Sequence, residues 1–167
     1  VTHPTVKVSY LQLTHPPSPP SDRLHAARVT AEKLPIDEYL SLYRHVGAPV
    51  RWDQRLKMSS TALSSLLASP RSQVYVLRDA TTQPIGFCEF ERDLPQIELK
   101  NFGLIPSAQG KGLGSLLLRA ALYQEWQLGP RRIWLHTDNW DHPAAIKLYE
   151  SVGFQTYWVR DEPPGDL

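Results

Sequence analysis

The sequence predicts an α/β fold built on one mixed, largely antiparallel sheet flanked by helices. Three observations predict it. Short runs alternate apolar with polar residues, as half-buried strands do; amphipathic stretches of helical period interrupt them; and the one good crossover is the helix that follows residue 105. The 167 residues suit one core. The expected organisation is a single domain over 1–167, with an N-terminal part at 1–70 and a core at 71–167.

Each element has its own warrant. In Val6–Leu13, Val6, Val8 and Tyr10 alternate with Lys7, Ser9 and Gln12, which predicts a strand. The run His15–Asp22 is rich in proline, lacks ladder donors and reads as an exposed connection. Ala26–Lys33 is ambiguous between strand and helix. Pro35–His45 reads as a helix: Pro35 suits the first turn, Asp37 and Glu38 suit its positive start, and Ile36, Tyr39, Leu40 and Tyr43 share a face. Gly47, Ala48 and Pro49 end it. Ser60–Ala68 is a second helix with Leu63, Leu66 and Leu67 on one side. Gln73–Arg78, Ile85–Glu91 and Gln96–Ile105 read as three strands joined by turn chemistry, hence antiparallel. Gly112–Gln127 is a long helix with Leu113, Leu116, Leu117, Ala120 and Ala121 on an apolar face. Arg132–His136 is a strand, Ala144–Val152 a short helix capped by Gly153, and Phe154–Val159 a last strand.

Composition narrows the class. A formal charge of +1 gives no reason to expect nucleic acid as a partner. No apolar run approaches the roughly 20 residues of a membrane helix. Thr2, His3 and Pro4 break any secretory signal pattern at once, and Cys88, as the single cysteine, has no internal disulfide partner. A soluble, cytoplasmic protein is the expectation.

Chemistry concentrates between Ile105 and Ser115. A strand ends, three glycines (Gly110, Gly112, Gly114) follow, and a long helix begins. The first turn of a helix carries unpaired N–H groups at its positive end, and glycine lets a ligand approach the backbone closely. That combination suits a phosphate or pyrophosphate, with Lys111 adding charge at the rim. The loop is not a nucleotide-hydrolase phosphate loop, and Ser115 replaces the third glycine of a dinucleotide fingerprint.

The segment Leu104-Ile-Pro-Ser-Ala-Gln109-Gly-Lys-Gly-Leu-Gly114 resembles the Gln/Arg-x-x-Gly-x-Gly/Ala motif of the GNAT superfamily of acyl-CoA N-acyltransferases. A second segment, Ala145-Ile-Lys-Leu-Tyr149-Glu-Ser-Val-Gly153-Phe154, is similar to that superfamily's Ala-x-x-Leu-Tyr-x-x-x-Gly-Phe. The two occur in order with a strand between them, and the resemblance covers roughly the C-terminal 100 residues. It implies a GNAT-like acyltransferase fold with its sheet splayed in the middle, an acetyl-CoA-binding core at 71–167 and an acceptor-side part at 1–70.

The resemblance also implies site residues. Acetyl-CoA, as cosubstrate, would pair with backbone around Leu104, Ile105 and Pro106. Its pyrophosphate would rest on the segment Gln109, Gly110, Lys111, Gly112, Leu113, Gly114 and Ser115. Where the superfamily commonly carries an asparagine against the pantetheine, this chain has His142, with Asn139 three residues earlier. Tyr149 matches the tyrosine acid that protonates the leaving thiolate. Glu98 matches a position used as a base by some members, and Glu89 and Glu91, spaced to share a strand face, are rivals. The oxyanion donor would be a backbone N–H near Leu104, at a bulge.

The remaining polar residues are weighed on their own chemistry. Buried cysteine is usually inert, so Cys88 is not expected to carry an acyl group. His136, Asp138 and His142 lack standard ligand spacing, so no metal is expected. Trp52, Asp53 and Trp140 are candidates for an acceptor pocket, with a primary amine on a small molecule or a peptide as acceptor. A homodimer is compatible with the sequence, although no segment demands one. The expected function is acetyl transfer from acetyl-CoA to such an amine in a ternary complex. A non-catalytic coenzyme A-binding module on the same fold is the alternative, and a dinucleotide-dependent oxidoreductase is disfavoured by Ser115 and the antiparallel strands.

Overall fold

The computed structural model describes residues 4–20 and 26–163. The first three residues and the end of the proline-rich connection lie outside them. The elements run β1 (Val6–Leu13), β2 (Arg28–Glu32), α1 (Ile36–Gly47), α2 (Ser60–Ala68), β3 (Ser72–Arg78), β4 (Pro84–Asp93), β5 (Gln96–Leu104), α3 (Leu113–Trp126), β6 (Arg132–Asp138), α4 (Ala145–Ser151) and β7 (Gln155–Glu162), with short 3-10 turns at Ala48–Val50, Arg55–Lys57 and Pro106–Ala108.

The expected α/β class and its three antiparallel middle strands are present. The seven strands lie in the order β2-β3-β4-β5-β6-β1-β7. The one parallel pair is β5 with β6, joined by α3. The ambiguous segment 26–33 is a strand, so the order of elements contains one strand more than the sequence predicts. Its five residues pair with β3 from Arg28↔Arg78 to Glu32↔Val74, and its outer edge bears no alternating core face that a pattern could reveal. β1 is placed by tertiary pairing rather than by neighbours in sequence: it lies between β6 and β7, antiparallel to both.

Two layers of helix cover β2–β5. On one face Tyr39 of α1 meets Phe87 at a ring separation of 6.0 Å. On the other, Tyr75 reaches Glu125 of α3 with a 2.8 Å hydrogen bond. The buried face of α1 is Tyr39, Leu42, Tyr43 and Val46, turned from the expected one, with Ile36 and Leu40 at its margin. The buried face of α3 is Leu117, Leu118, Ala121, Leu122 and Glu125; Leu113, Leu116 and Ala120 are only half-buried. Glu125 is an acid wholly inside the core, where Tyr75 and the Arg92 guanidinium satisfy it.

What positions the site is an incomplete pairing. β5 and β6 pair only from Gln96↔Arg132 to Glu98↔Trp134, after which the two strands diverge. Opposite this point β5 carries a bulge, because Glu89 pairs with Asn101 while Phe90 pairs with Leu99. The extra residue, Lys100, bends the strand away from β6. The splay expected in mid-sheet is this divergence. The bulge lies at Lys100, not near Leu104 as expected.

Candidate active site

The diverging strands open a cleft of about 420 Å³, lined by Leu99–Leu104 of β5, Leu135–Asp138 of β6, the glycine loop, Tyr149 of α4 and Arg51–Gln54. At its loop end Gly110 and Gly112 both have φ of +76°, a conformation that side chains other than glycine rarely adopt. A Cβ at either would meet nothing within 4 Å, so the backbone borders open space. Gly112 begins α3, and no side chain caps that end. The first-turn amides are therefore left to an external acceptor. Gly114 is a glycine for another reason: a Cβ there would press on Leu148 Cδ2 at 3.3 Å, where α3 meets α4.

The structure brings Leu104, Gln109, Gly110, Gly112, Gly114 and Ser115 to this cleft. It does not bring Ile105, Pro106, Lys111 or Leu113 to its lining. Ile105 is buried, and its N–H donates to the Ile85 carbonyl at 2.9 Å. Pro106 and Lys111 are exposed, the latter because the two positive-φ glycines turn the loop's apex outward. His142 lines the cleft and Asn139 does not. Asn139 is held by β1 instead: its N–H donates to the Lys7 carbonyl and its Oδ1 accepts from the Lys7 N–H, both at 3.1 Å.

Tyr149 is 7% exposed, wedged between the rings of Phe102 and Phe154. Burial pushes its phenol well above the ordinary value, and the Asp141 carboxylate adds to the effect. It is a protonated donor at neutral pH. Among the described residues no hydrogen bond reaches its hydroxyl.

The carboxylates separate clearly. Glu98 sits at the last paired position of β5, at the vertex of the divergence. Its Oε1 lies 3.7 Å from His136 Nε2, and its Oε2 3.5 Å from Lys100 Nζ. Burial raises its carboxyl above the usual range, against the opposing pull of Lys100 and His136. Burial likewise lowers the His136 imidazole, with Glu98 opposing. In both groups burial disfavours the charged form, and each partly offsets that cost for the other. His136, and not Glu98, lines the cleft; Tyr10 of β1 packs on the imidazole at 5.7 Å.

Glu89 is a different kind of residue. It is 1% exposed and accepts from Tyr39 Oη (2.8 Å), Asn101 Nδ2 (2.6 Å) and Arg55 (3.2 Å). Its lone pairs are engaged in tying α1 and the following turn to the sheet, so the geometry does not offer it as a base. Glu91 is exposed and faces Arg71 and Lys100. Cys88 is fully buried and its thiol is pushed well up by burial, which removes its nucleophilic form.

A clasp that the sequence does not reveal spans the cleft. Trp52 Nε1 donates to Asp141 Oδ1 at 3.3 Å, and Arg51 stacks over the Trp140 ring at 5.0 Å. Asp141 also accepts from Thr137 Oγ1 and from the Asp138 N–H. Trp52 and Trp140 are therefore partners of the clasp as well as wall residues. The signal available in the sequence was the Asp138-x-x-Asp141 spacing after a strand, in which the Asp138 carboxylate accepts from the N–H groups of Trp140 (2.7 Å) and Asp141 (3.1 Å). Nothing local points to Tyr10, which reaches the site only through the pairing of β1.

Residues 36–154 match the Acetyltransferase (GNAT) family. Among curated relatives, the [Ribosomal protein bS18]-alanine N-acetyltransferase of Haemophilus influenzae is 33% identical over 78 residues, covering 47% of this chain and 52% of that protein. A mycothiol acetyltransferase of Geodermatophilus obscurus is 29% identical over 130 residues, covering 78% of this chain and 35% of that protein. The chain thus spans about half, or less, of these relatives' length. The crystal structure of the ribosomal-protein-S18-alanine N-acetyltransferase from Escherichia coli superposes with a TM-score of 0.59 at 22% identity, covering 75% of this chain and 77% of that one. That likeness is one of fold.

Proposed function

The chain belongs to the GNAT acetyltransferase family, and from that premise we propose that it transfers the acetyl group of acetyl-CoA to a primary amine. The observation that carries the reading is the cleft where β5 leaves β6, with open glycine backbone at one end and a paired carboxylate and imidazole at its vertex. The residues fit the cosubstrate. Gly110, Gly112 and the uncapped start of α3 offer N–H groups to a diphosphate, and the edge of β5 beyond Glu98, free of β6, offers backbone to an extended arm. Acetyl-CoA supplies an acyl group activated as a thioester.

The chain's own residues then have distinct tasks. An amine arrives as an ammonium ion and must lose a proton before it can attack. His136, in the cleft, takes that proton, and Glu98 behind it stabilises the imidazolium. Tyr149 holds a proton at its hydroxyl for the departing sulfur. The Trp52–Asp141 clasp excludes water and holds β6 against the segment after α1. His142 replaces Asn139 as the polar contact at the cleft rim.

The acceptor is a small-molecule amine or a peptide end, and a peptide with N-terminal alanine and a mycothiol-type thiol-bearing amine are the first compounds to try. Action in the cytoplasm is part of the same proposal. No helix among the described residues is long and apolar enough to cross a membrane. The test is to titrate with coenzyme A by calorimetry, then follow thiol release with acetyl-CoA and a panel of amines. Binding without turnover on any amine would support a non-catalytic coenzyme A module, and absence of binding would refute both.

A further inference from the structure

β6 is buried on one face only. Ile133, Leu135 and Thr137 lie inside, while Arg132, Trp134 and His136 alternate with them and stay half-exposed. The helices α1 and α2 pack mainly on β3, β4 and β5. The open face of β6 begins at the vertex of the active site and runs outward. His136 stands in the cleft beside Glu98. The Trp134 ring comes next, 6.4 Å from the imidazole, and Tyr10 flanks that imidazole at 5.7 Å. Arg132 follows, stacked over the Trp134 ring at 5.7 Å and over Tyr157 at 5.4 Å. The strip therefore has an acid–base pair at one end, an aromatic middle and a guanidinium at the other end.

That guanidinium is held without an anion. Its Nε and Nη2 donate to Gln96 Oε1 at 3.0 and 2.9 Å, and its Nη1 donates to Gln12 Oε1 at 3.1 Å. Both partners are neutral amides, and among the described residues no carboxylate pairs with Arg132. Three of its five N–H donors are used and two remain. Arg160, the other arginine against these rings, differs: it pairs with Glu162 and donates to the Tyr10 hydroxyl at 2.9 Å. Arg132 is thus fixed in place with its charge unanswered, the preorganised form of a carboxylate site.

We propose that the acceptor is an amine with a carboxylate at its far end and a flat apolar body between, laid along the open face of β6. The proposal rests on the acetyl-transfer reading and adds to it the class of acceptor. The ammonium is drawn to Glu98 and His136, the body lies on Trp134, and the carboxylate takes the free N–H groups of Arg132. The opposite charges of Glu98 and Arg132 fix which way the molecule lies. Four residues of strand separate His136 from Arg132, which sets the amine and the anion about 13 Å apart. A simple α-amino acid, whose two charges are adjacent, cannot use both ends of the strip.

The probes are a biphenyl with aminomethyl and carboxylate groups at its opposite ends, its carboxamide, and the shorter para-aminomethylbenzoate with its own carboxamide. Each is titrated by calorimetry into the chain saturated with coenzyme A. The biphenyl carboxylate is expected to bind about 10-fold more tightly than its carboxamide, the low end for a hydrogen bond to a charged group because Arg132 is half-exposed. The shorter pair, which cannot reach from His136 to Arg132, is expected to show no such preference. Arg132→Gln is expected to abolish the preference and Arg132→Lys, which keeps the charge without the fork, to retain part of it. Arg131→Gln, at the exposed neighbouring position, is expected to leave it whole. Trp134→Ala is expected to weaken both biphenyl probes alike. Circular dichroism confirms that each variant is folded. With acetyl-CoA the same preference is expected in KM, with kcat little changed between the two biphenyl amines. A chain that binds the probes with this preference but acetylates neither refutes the transferase reading and leaves the recognition site standing. Equal binding of carboxylate and carboxamide, binding of neither, or a preference that Arg132→Gln retains overturns the proposal.

Discussion

Replacing Glu98 by Gln removes a charge from the vertex of the cleft while keeping shape and hydrogen-bonding capacity. The carboxylate lies 3.7 Å from His136 Nε2, so its loss leaves the half-buried imidazole without the group that stabilises its protonated form. General-base assistance is worth about 10²–10⁴ in rate, or roughly 3–5 kcal/mol of barrier. The fall in kcat should lie in that interval, with little change in coenzyme A affinity, because the cradle is at the other end of the cleft. The pH dependence is more diagnostic. Activity needs the pair free of protons, and burial raises one member and lowers the other. In the native protein the rate should therefore climb with pH inside the interval between an ordinary glutamate and an ordinary histidine, about 4.3 to 6.5. In the variant that limb should move, since His136 then titrates alone.

Stability gives an independent sign. A carboxyl whose affinity for protons is raised on folding stabilises the fold below its unfolded value, and that contribution is lost as pH rises through the folded value. At neutral pH the charge is a cost, so Glu98→Gln should melt higher there, with the gain shrinking in acid. Stopped assays, neutralised before the thiol is read, and melts at matched pH would settle both points. A variant with native kcat and an unmoved acid limb would show that Glu98 is a bystander.

Three further expectations rest on separate contacts. Tyr149→Phe keeps the ring between Phe102 and Phe154 but removes the donor, so kcat should fall by about 10²–10⁴ while calorimetry shows native coenzyme A affinity. Gly112→Ala forces a side chain to φ +76°, which should cost roughly 1–2 kcal/mol in a denaturant titration; because the Cβ enters the open cradle, coenzyme A binding should weaken further than the fold does. Glu125→Ala leaves the buried Tyr75 hydroxyl without its acceptor and the partly exposed Arg92 guanidinium without its partner, and should cost about 1–3 kcal/mol with no specific effect on the acceptor or cosubstrate KM.

The parts of the fold legible in sequence are those that local chemistry enforces. Gly110 and Gly112 announce themselves because their backbone angle excludes other residues, whereas Tyr149 is picked out only by the resemblance of Ala145–Phe154 to the family motif. The three hairpin-linked strands follow from alternation and turns. What the sequence conceals is decided by long-range pairing. β1 reads as a strand, but nothing in Val6–Leu13 says that it will enter the sheet between β6 and β7 and bring Tyr10 to His136. The same event takes Asn139 out of the site, because its backbone and side chain close the end of that pairing at Lys7. Glu89 and Glu91 share a strand face on paper. The register shift beside them and the arrival of Arg55 and Tyr39 from elsewhere make one a buried anchor and leave the other at the surface.

The position of Glu98 follows from the same geometry. A strand residue that is paired on both sides is held rigidly, and one beyond the divergence has an open edge toward the cleft. Glu98 is the last of the first kind: it pairs with Glu91 on one side and Trp134 on the other. The next residue but one, Lys100, is the bulge that turns β5 away. The bulge marks where the strands part. It frees the edge that an extended ligand needs, and beside it the Lys100 ammonium lies 3.5 Å from the Glu98 carboxylate, which keeps a half-buried charge from being unpaired. Removing the bulge by deleting Lys100 would let β5 continue along β6 and close the cleft. The opening is thus tied to one inserted residue, while the electrostatics of its vertex come from Lys100 and His136 on either side of Glu98.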